Sequence, residues 1–215
     1  MNKAILRLMV GFKRFKEKYF LASDLDQSLY SRLASSGQTP KTLFIGCSDS
    51  RVDPAILTSS APGDLFVIRN VANLVPPYEA AASGWRGTSS ALEFAVMGLK
   101  VENILILGHR QCGGIRALMS NAPVESSFIG QWMSIAAEAR IEVLKKHPDG
   151  DEDTLCRAAE MESIKVSMKN LLTFPFVKEA IETRKMSIIG LYFDLERGEL
   201  WQYDEVSKFF KPLEL

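Results

Sequence analysis

Net charge is missing. Lys and Arg number 26 and Asp and Glu number 26 across 215 residues, so the totals lack the basic surplus that draws proteins to nucleic acid. Long hydrophobic runs are missing too. The longest, such as Ile188 to Phe193, fall far short of the ~20 residues that cross a bilayer, and no membrane span is predicted. Met1 to Phe20 does not read as a secretory signal, because Arg7 interrupts the apolar stretch and Lys13, Arg14, Lys16 and Lys18 stand where a cleavage site should be. Cysteine is scarce, and the three present are an odd count that makes no disulfide framework. The expectation is a reducing cytoplasm with free or metal-bound thiols. Repeats of roughly 20 to 50 residues are absent as well.

What is there fits one globular domain. Hydrophobic residues at 47% and charged residues at 24% argue against global disorder, and at ~150 residues per domain one is expected. Residues 1–34 read as an N-terminal helical arm, 38–119 as the core carrying the chemistry, and 120–215 as helices and C-terminal strands. Within the arm, Met1 to Leu21 is predicted helical, with Leu8, Phe12, Phe15 and Tyr19 on one side. Thr42 to Gly46, Asp64 to Arg69 and Asn103 to Gly108 read as buried strands. Ser90 and Glu93 suggest a capping box opening a helix through Leu99, and a short helix is expected over Ile115 to Met119. Phe128 to Lys146 reads as one amphipathic helix. Asp153 or Thr154 caps another to about Leu172, and Pro175 starts a third. Ser187 to Asp194 and Glu199 to Tyr203 flank a turn at Arg197-Gly198. The fold class is α/β: a central parallel sheet flanked by helices, with an antiparallel strand near the C-terminus.

Two predicted strand ends carry residues suited to metal. One is Cys47-Ser48-Asp49-Ser50-Arg51 and the other is His109-Arg110-Gln111-Cys112-Gly113-Gly114. Ligands gather beyond the carboxyl ends of strands in open α/β sheets. If the two strands are neighbours, Cys47, His109 and Cys112 converge, and two thiolates with one imidazole favour zinc. Three protein ligands leave one tetrahedral position free, as catalytic zinc requires. Asp49 is the contender for that position or for a hydrogen bond to its occupant, and Arg51 is placed to hold the Asp49 carboxylate. Cys156 reads as core and His147 as a solvated loop residue.

Together the two motifs resemble the β-class carbonic anhydrases, and Arg69-Asn70-Val71-Ala72-Asn73-Leu74-Val75-Pro76-Pro77 is similar to the segment after the second strand in plant-like members. The resemblance is close from Gln38 to Met119. It implies Zn²⁺, one per chain, held by Cys47, His109 and Cys112, with the Asp49–Arg51 pair beside it. It implies reversible hydration of carbon dioxide to bicarbonate and a proton by attack of zinc-bound hydroxide. Gln38 matches the amide that orients substrate, Gly113 the glycine whose N–H binds a substrate oxygen, and Phe66 and Val71 an apolar wall. Phe94 falls where Tyr is frequent, so no hydroxyl is available there. One bacterial subgroup has Trp three residues before the first Cys as part of an inhibitory bicarbonate site. That position is Phe44 here, and although the site's Arg is present as Arg69, the site is not expected to be built.

Two rivals follow. A carbon disulfide or carbonyl sulfide hydrolase would use the same ligands on isosteric substrates. A non-catalytic zinc or thiol redox-sensing protein would close its metal with Asp49, and would need neither Arg51 nor Gln38. The partners expected are carbon dioxide and bicarbonate, no nucleic acid, and a second copy of the chain in a homodimer or larger homo-oligomer.

Overall fold

The computed structural model describes residues 2–21, 28–79, 86–120 and 127–214. It falls into two compact units, Met1–Thr39 and Pro40–Leu215. In the first, helix α1 spans Lys3–Lys16, capped by the Asn2 side chain, which accepts the Ala4 N–H. A π-helical turn over Glu17–Leu21 follows, and α2 spans Leu29–Ser36 from its Ser28 cap. Phe15, Tyr19 and Tyr30 pack ring against ring, with centroids 5.0 to 5.6 Å apart. The helix predicted from Met1 is present from Lys3, and Met1 itself lies outside the described residues, as do positions 22–27 of the arm.

The second unit is built on a six-stranded sheet. In chain order its elements are β1 (Thr42–Cys47), α3 (Pro54–Thr58), β2 (Leu65–Asn70), α4 (Gly87–Glu93), β3 (Asn103–His109) and α5 (Gly113–Met119). They continue with α6 (Phe128–Met133), α7 (Ala137–Lys146), α8 (Glu152–Leu171), α9 (Pro175–Arg184), β4 (Ser187–Asp194), β5 (Glu199–Asp204) and β6 (Phe209–Pro212). The sheet order is β2-β1-β3-β4-β5-β6, parallel through β4 and antiparallel thereafter. β1 is covered on both faces: Leu43 and Ile45 enter one core with Ile104, Ile106 and Ile164, while Phe44 enters another with Leu107 and Leu191. Two-sided burial is why such strands read as continuous apolar runs.

This order places a topological switch between β1 and β3, because the chain leaves β1 toward one edge and β3 toward the other. The crevice at such a point opens beyond the carboxyl ends of both strands. Helix α8 lies against β3 and β4 so closely that a Cβ on Gly108 would come 2.7 Å from the Ile164 Cδ1. Any larger residue there, one position before His109, would have to displace the Ile164 side chain.

Several boundaries differ from the sequence reading. Ser90 is not a cap: the helix begins at Gly87, and the Ser90 hydroxyl donates to the Arg86 carbonyl within the first turn. The last turn of that segment, Phe94–Gly98, is π-helical. A 3₁₀ turn at Ser134–Ala136 divides the helix expected over Phe128–Lys146. Asp151, rather than Asp153 or Thr154, caps α8 by accepting the Thr154 N–H. β6 was not anticipated. Its Pro212 has no N–H for a ladder, and a strand can tolerate that only on an edge, where β6 lies.

Candidate metal centre

β1 ends at Cys47, and the loop that follows is shaped by its own side chains. Asp49 Oδ1 accepts the Arg51 N–H at 2.9 Å, a turn that short acidic side chains favour. The Arg51 guanidinium grips the same carboxylate, Nε donating to Oδ1 at 2.9 Å and Nη2 to Oδ2 at 2.7 Å. Asp53 ends the loop by capping α3 at the Ala55 and Ile56 N–H groups, with Pro54 in the first turn. From β2, Arg69 donates to the carbonyls of Cys47 at 2.9 Å and Asp49 at 2.6 Å, and to the Asp53 carboxylate at 3.1 Å. The loop is thus held by arginines.

The second loop leaves β3. The Arg110 N–H donates to the Phe193 carbonyl at 2.9 Å, Gln111 turns the chain with φ of 58°, and Cys112 stands at the N-cap of α5. Arg51 Nη2 also donates to the Gln111 carbonyl at 3.0 Å and ties the two loops together. Beneath the turn lies Glu160 of α8, which accepts the Cys112 N–H at 3.0 Å and the Tyr192 hydroxyl at 2.9 Å. Arg110 bonds to Asp153, and its Nε lies 3.6 Å from the Glu196 carboxylate.

Cys47, His109 and Cys112 are all buried, and their ligating atoms lie within 4.8 Å of one another. His109 Nδ1 sits 2.9 Å from the Arg110 carbonyl. A carbonyl only accepts, so Nδ1 carries the hydrogen and Nε2 keeps a lone pair. Among the described residues that buried Nε2 has no hydrogen-bond partner, a condition that costs about 1–3 kcal/mol if nothing satisfies it. An orphaned imidazole lone pair beside two sulphurs fits a metal ion with an affinity for thiolate.

The comparisons with known proteins agree with this geometry. The carbonic anhydrase family model matches residues 42–200. Beta carbonic anhydrase 3 of Arabidopsis thaliana is 38% identical over 207 residues, covering 94% of this chain and 78% of that one. The chain belongs to the β-carbonic anhydrase family. The solved structure of the β-carbonic anhydrase CcaA superposes with a TM-score of 0.90 at 34% identity, covering 100% of this chain and 94% of that one. One of two tetrameric β-carbonic anhydrases of the ascomycete Sordaria macrospora superposes at 0.78, with 28% identity and coverage of 93% and 94%.

Within this β-carbonic anhydrase fold, electrostatics favour one thiolate even without metal. The hydrogen bond from Cys112 draws the Cys47 thiol well below its ordinary value against the opposing effect of burial, helped by the backbone of Asp49 and Ala72. Cys112 is pushed up by that same bond and by burial. Arg51, hydrogen-bonded to Asp49, holds its carboxyl well below the usual range. Asp49 lies outside the three-residue cluster, with Oδ2 4.0 Å from His109 Nε2.

The remaining predicted residues are scattered. Gly113 is exposed at the first position of α5, with nothing within 4 Å of where a Cβ would point. Val71 follows β2 and lines a cleft of about 870 Å³ with Asn70, Pro76 and Trp132, and its carbonyl accepts the Trp132 Nε1–H. Phe66 pairs in register with Leu43, four residues before Asn70, which pairs with Cys47. At ~3.3 Å per residue that is about 13 Å up the strand. Its ring packs on Phe94, with centroids 5.8 Å apart, and Phe94 is 51% exposed. Those two rings are together but away from this chain's ligands. Gln38 is exposed and belongs to the first unit. Phe44 is buried in β1, and Arg69 is committed to the first loop. Sequence reasoning missed Glu160 and the clamping role of Arg69. A signal for Glu160 existed, since it falls one helical turn from each of the core-facing residues Cys156 and Ile164.

Proposed function

We propose that this chain catalyses the reversible hydration of carbon dioxide to bicarbonate and a proton with one zinc ion per chain. Cys47, His109 and Cys112 would hold the ion. Zinc, when bound, acidifies water and supplies hydroxide near neutral pH. The observation that carries this reading is the buried His109 Nε2, unpartnered among the described residues, beside two cysteine sulphurs in a chain of this family.

The residues around the ligands divide the remaining work. Asp49, fixed by Arg51 and kept ionised, accepts a hydrogen bond from the attacking group and so orients it. The same grip keeps Asp49 from closing the site as a fourth ligand, and the closed, non-catalytic alternative is disfavoured for that reason. The Gly113 N–H and the Gln38 amide donate to substrate oxygens as negative charge develops there. Val71 supplies an apolar wall. Phe66, about 13 Å along β2 from its own chain's Cys47, and Phe94, which packs on it, serve as wall only if a second copy of the chain presents them. The exposed Phe94 and Met97 suit such a contact, and the Sordaria relatives are described as tetrameric. We therefore assign a homo-oligomer acting as one zinc domain, with 38–119 as its metal-site core, in the cytoplasm. Among the described residues no helix is long and apolar enough to cross a membrane.

The proton leaves to solvent or buffer, since the second histidine, His147, is exposed at the end of α7. The test is stopped-flow carbon dioxide hydration by the purified protein in strong buffer. Turnover that vanishes on chelation and returns with zinc is expected. A well-folded, zinc-loaded protein without hydration activity would refute the assignment.

A further inference from the structure

We infer that Glu160 is a positioning residue for the metal centre: its carboxylate, buried beneath the His109–Cys112 turn, holds the Cys112 backbone so that the Cys112 sulphur stays within ligand distance of Cys47 and His109. The inference rests on the ligand assignment above and extends it to a residue 48 positions away from Cys112 in sequence.

The turn needs support. Gln111 sits between two ligands in the left-handed region, with φ of 58°, a conformation that persists in non-glycine residues when surroundings over-determine it. Two contacts do so. On the outer side Arg51 donates to the Gln111 carbonyl, but the Arg51 side chain is 47% exposed and water competes for that bond. On the inner side Glu160, with a side chain 1% exposed, accepts the Cys112 N–H where no water competes.

Both Glu160 oxygens are used. Oε1 takes the Cys112 N–H and Oε2 takes the hydroxyl of the fully buried Tyr192. The simpler reading is a buried ion pair with Arg110 that has nothing to do with the ligands. The geometry disfavours it, because Arg110 Nη1 stops 4.0 Å from Oε2, beyond a hydrogen bond. Arg110 is near enough to offset the charge, yet its own bond goes to Asp153. The direct partners of the carboxylate are the ligand's backbone and one phenol. Ile164, one turn along α8, packs against Gly108 and sets the depth at which Glu160 meets the turn.

The test compares Glu160→Gln, Glu160→Leu and the double variant Glu160→Leu/Tyr192→Phe. Zinc affinity is measured by chelator competition, and the absorption of the Co²⁺-loaded protein is recorded alongside. Glu160→Gln keeps an acceptor for Cys112 and should retain wild-type affinity and bands. Glu160→Leu has none and should bind zinc about 10- to 100-fold more weakly, with altered thiolate-to-cobalt bands, as loss of groups that orient ligands typically does. The double variant removes the phenol that Glu160→Leu leaves unpaired, so it should fold where the single variant fails and show the same weakened affinity. Folded Leu variants with wild-type affinity and cobalt bands would overturn the proposal. So would failure of both to fold, which would assign Glu160 to the fold rather than to the ligand. A parent protein that binds no zinc would instead refute the ligand assignment, a separate outcome.

Discussion

The two loops of the metal centre are held by opposite means. Arginines hold the Cys47–Asp53 loop, with Arg51 on the Asp49 carboxylate and Arg69 on the carbonyls of Cys47 and Asp49. Carboxylates flank the His109–Cys112 turn, with Glu160 below and Asp153 and Glu196 around Arg110. The first loop is half open to solvent through Ser48, Ser50 and Arg51, whereas His109, Arg110 and Cys112 are buried. The difference assigns labour. Under the proposed function the exposed loop would orient what arrives, and the buried turn would fix the metal. Changes on the arginine side should lower turnover and leave metal in place, while changes on the carboxylate side should loosen the metal.

The largest effect expected is that of Cys112→Ser. It removes a ligand from the buried turn and should abolish bound zinc and hydration together, as metal analysis and stopped-flow assay would show. Loss of activity with full zinc would move Cys112 out of the ligand set. Next is Gln38→Ala, which should keep its zinc and lose on the order of 10²-fold in turnover, the usual effect of removing one preorganised donor. Wild-type rates would return Gln38 to an ordinary loop. Arg51→Gln should retain zinc but lower turnover by about 10- to 100-fold, since Asp49 is no longer aimed. Zinc loss there instead would erase the division between the loops.

A gentler probe is pH. Zinc with two thiolates and a neutral imidazole carries no net charge, so acidifying water is harder than in a three-histidine site, where the value is ~7. Hydration should therefore rise with pH through the alkaline side of neutrality. Asp49 does not set that limb. A carboxyl held below its ordinary value is charged, and stabilises the loop, at every pH above that value, and the contribution is lost only as pH falls through the lowered one. In Arg51→Gln the Asp49 carboxyl should climb back toward the ordinary range. A plateau already reached by pH 6 in matched buffers would contradict the charge argument. The smallest effect is that of Cys156→Ser, on α8 but outside the donor cluster, which should leave zinc and rate unchanged.

The legibility of the centre in sequence follows the same division. The ligands and the Asp49–Arg51 pair were visible because each loop is contiguous and begins at the end of an apolar run, Thr42–Gly46 or Asn103–Gly108. Local patterns at helix starts were less reliable. Ser90-x-x-Glu93 has the composition of a cap, yet the helix starts at Gly87 and the Ser90 hydroxyl bonds inside its first turn. Phe66 and Phe94 pack on each other away from this chain's Cys47, a height on the sheet that strand register rather than sequence distance fixes. Helical spacing from Cys156 and Ile164 marks Glu160 as buried, but its bond to the Cys112 backbone N–H on another element leaves no trace in residue types.

Titration of metal-free protein with zinc, read by carbon dioxide hydration and by cobalt substitution at the same stoichiometry, tests the central claim most directly. The account predicts no turnover without metal, a linear rise, and a break at one ion per chain. Turnover in the metal-free protein, or a fully loaded protein that does not hydrate carbon dioxide, would contradict it.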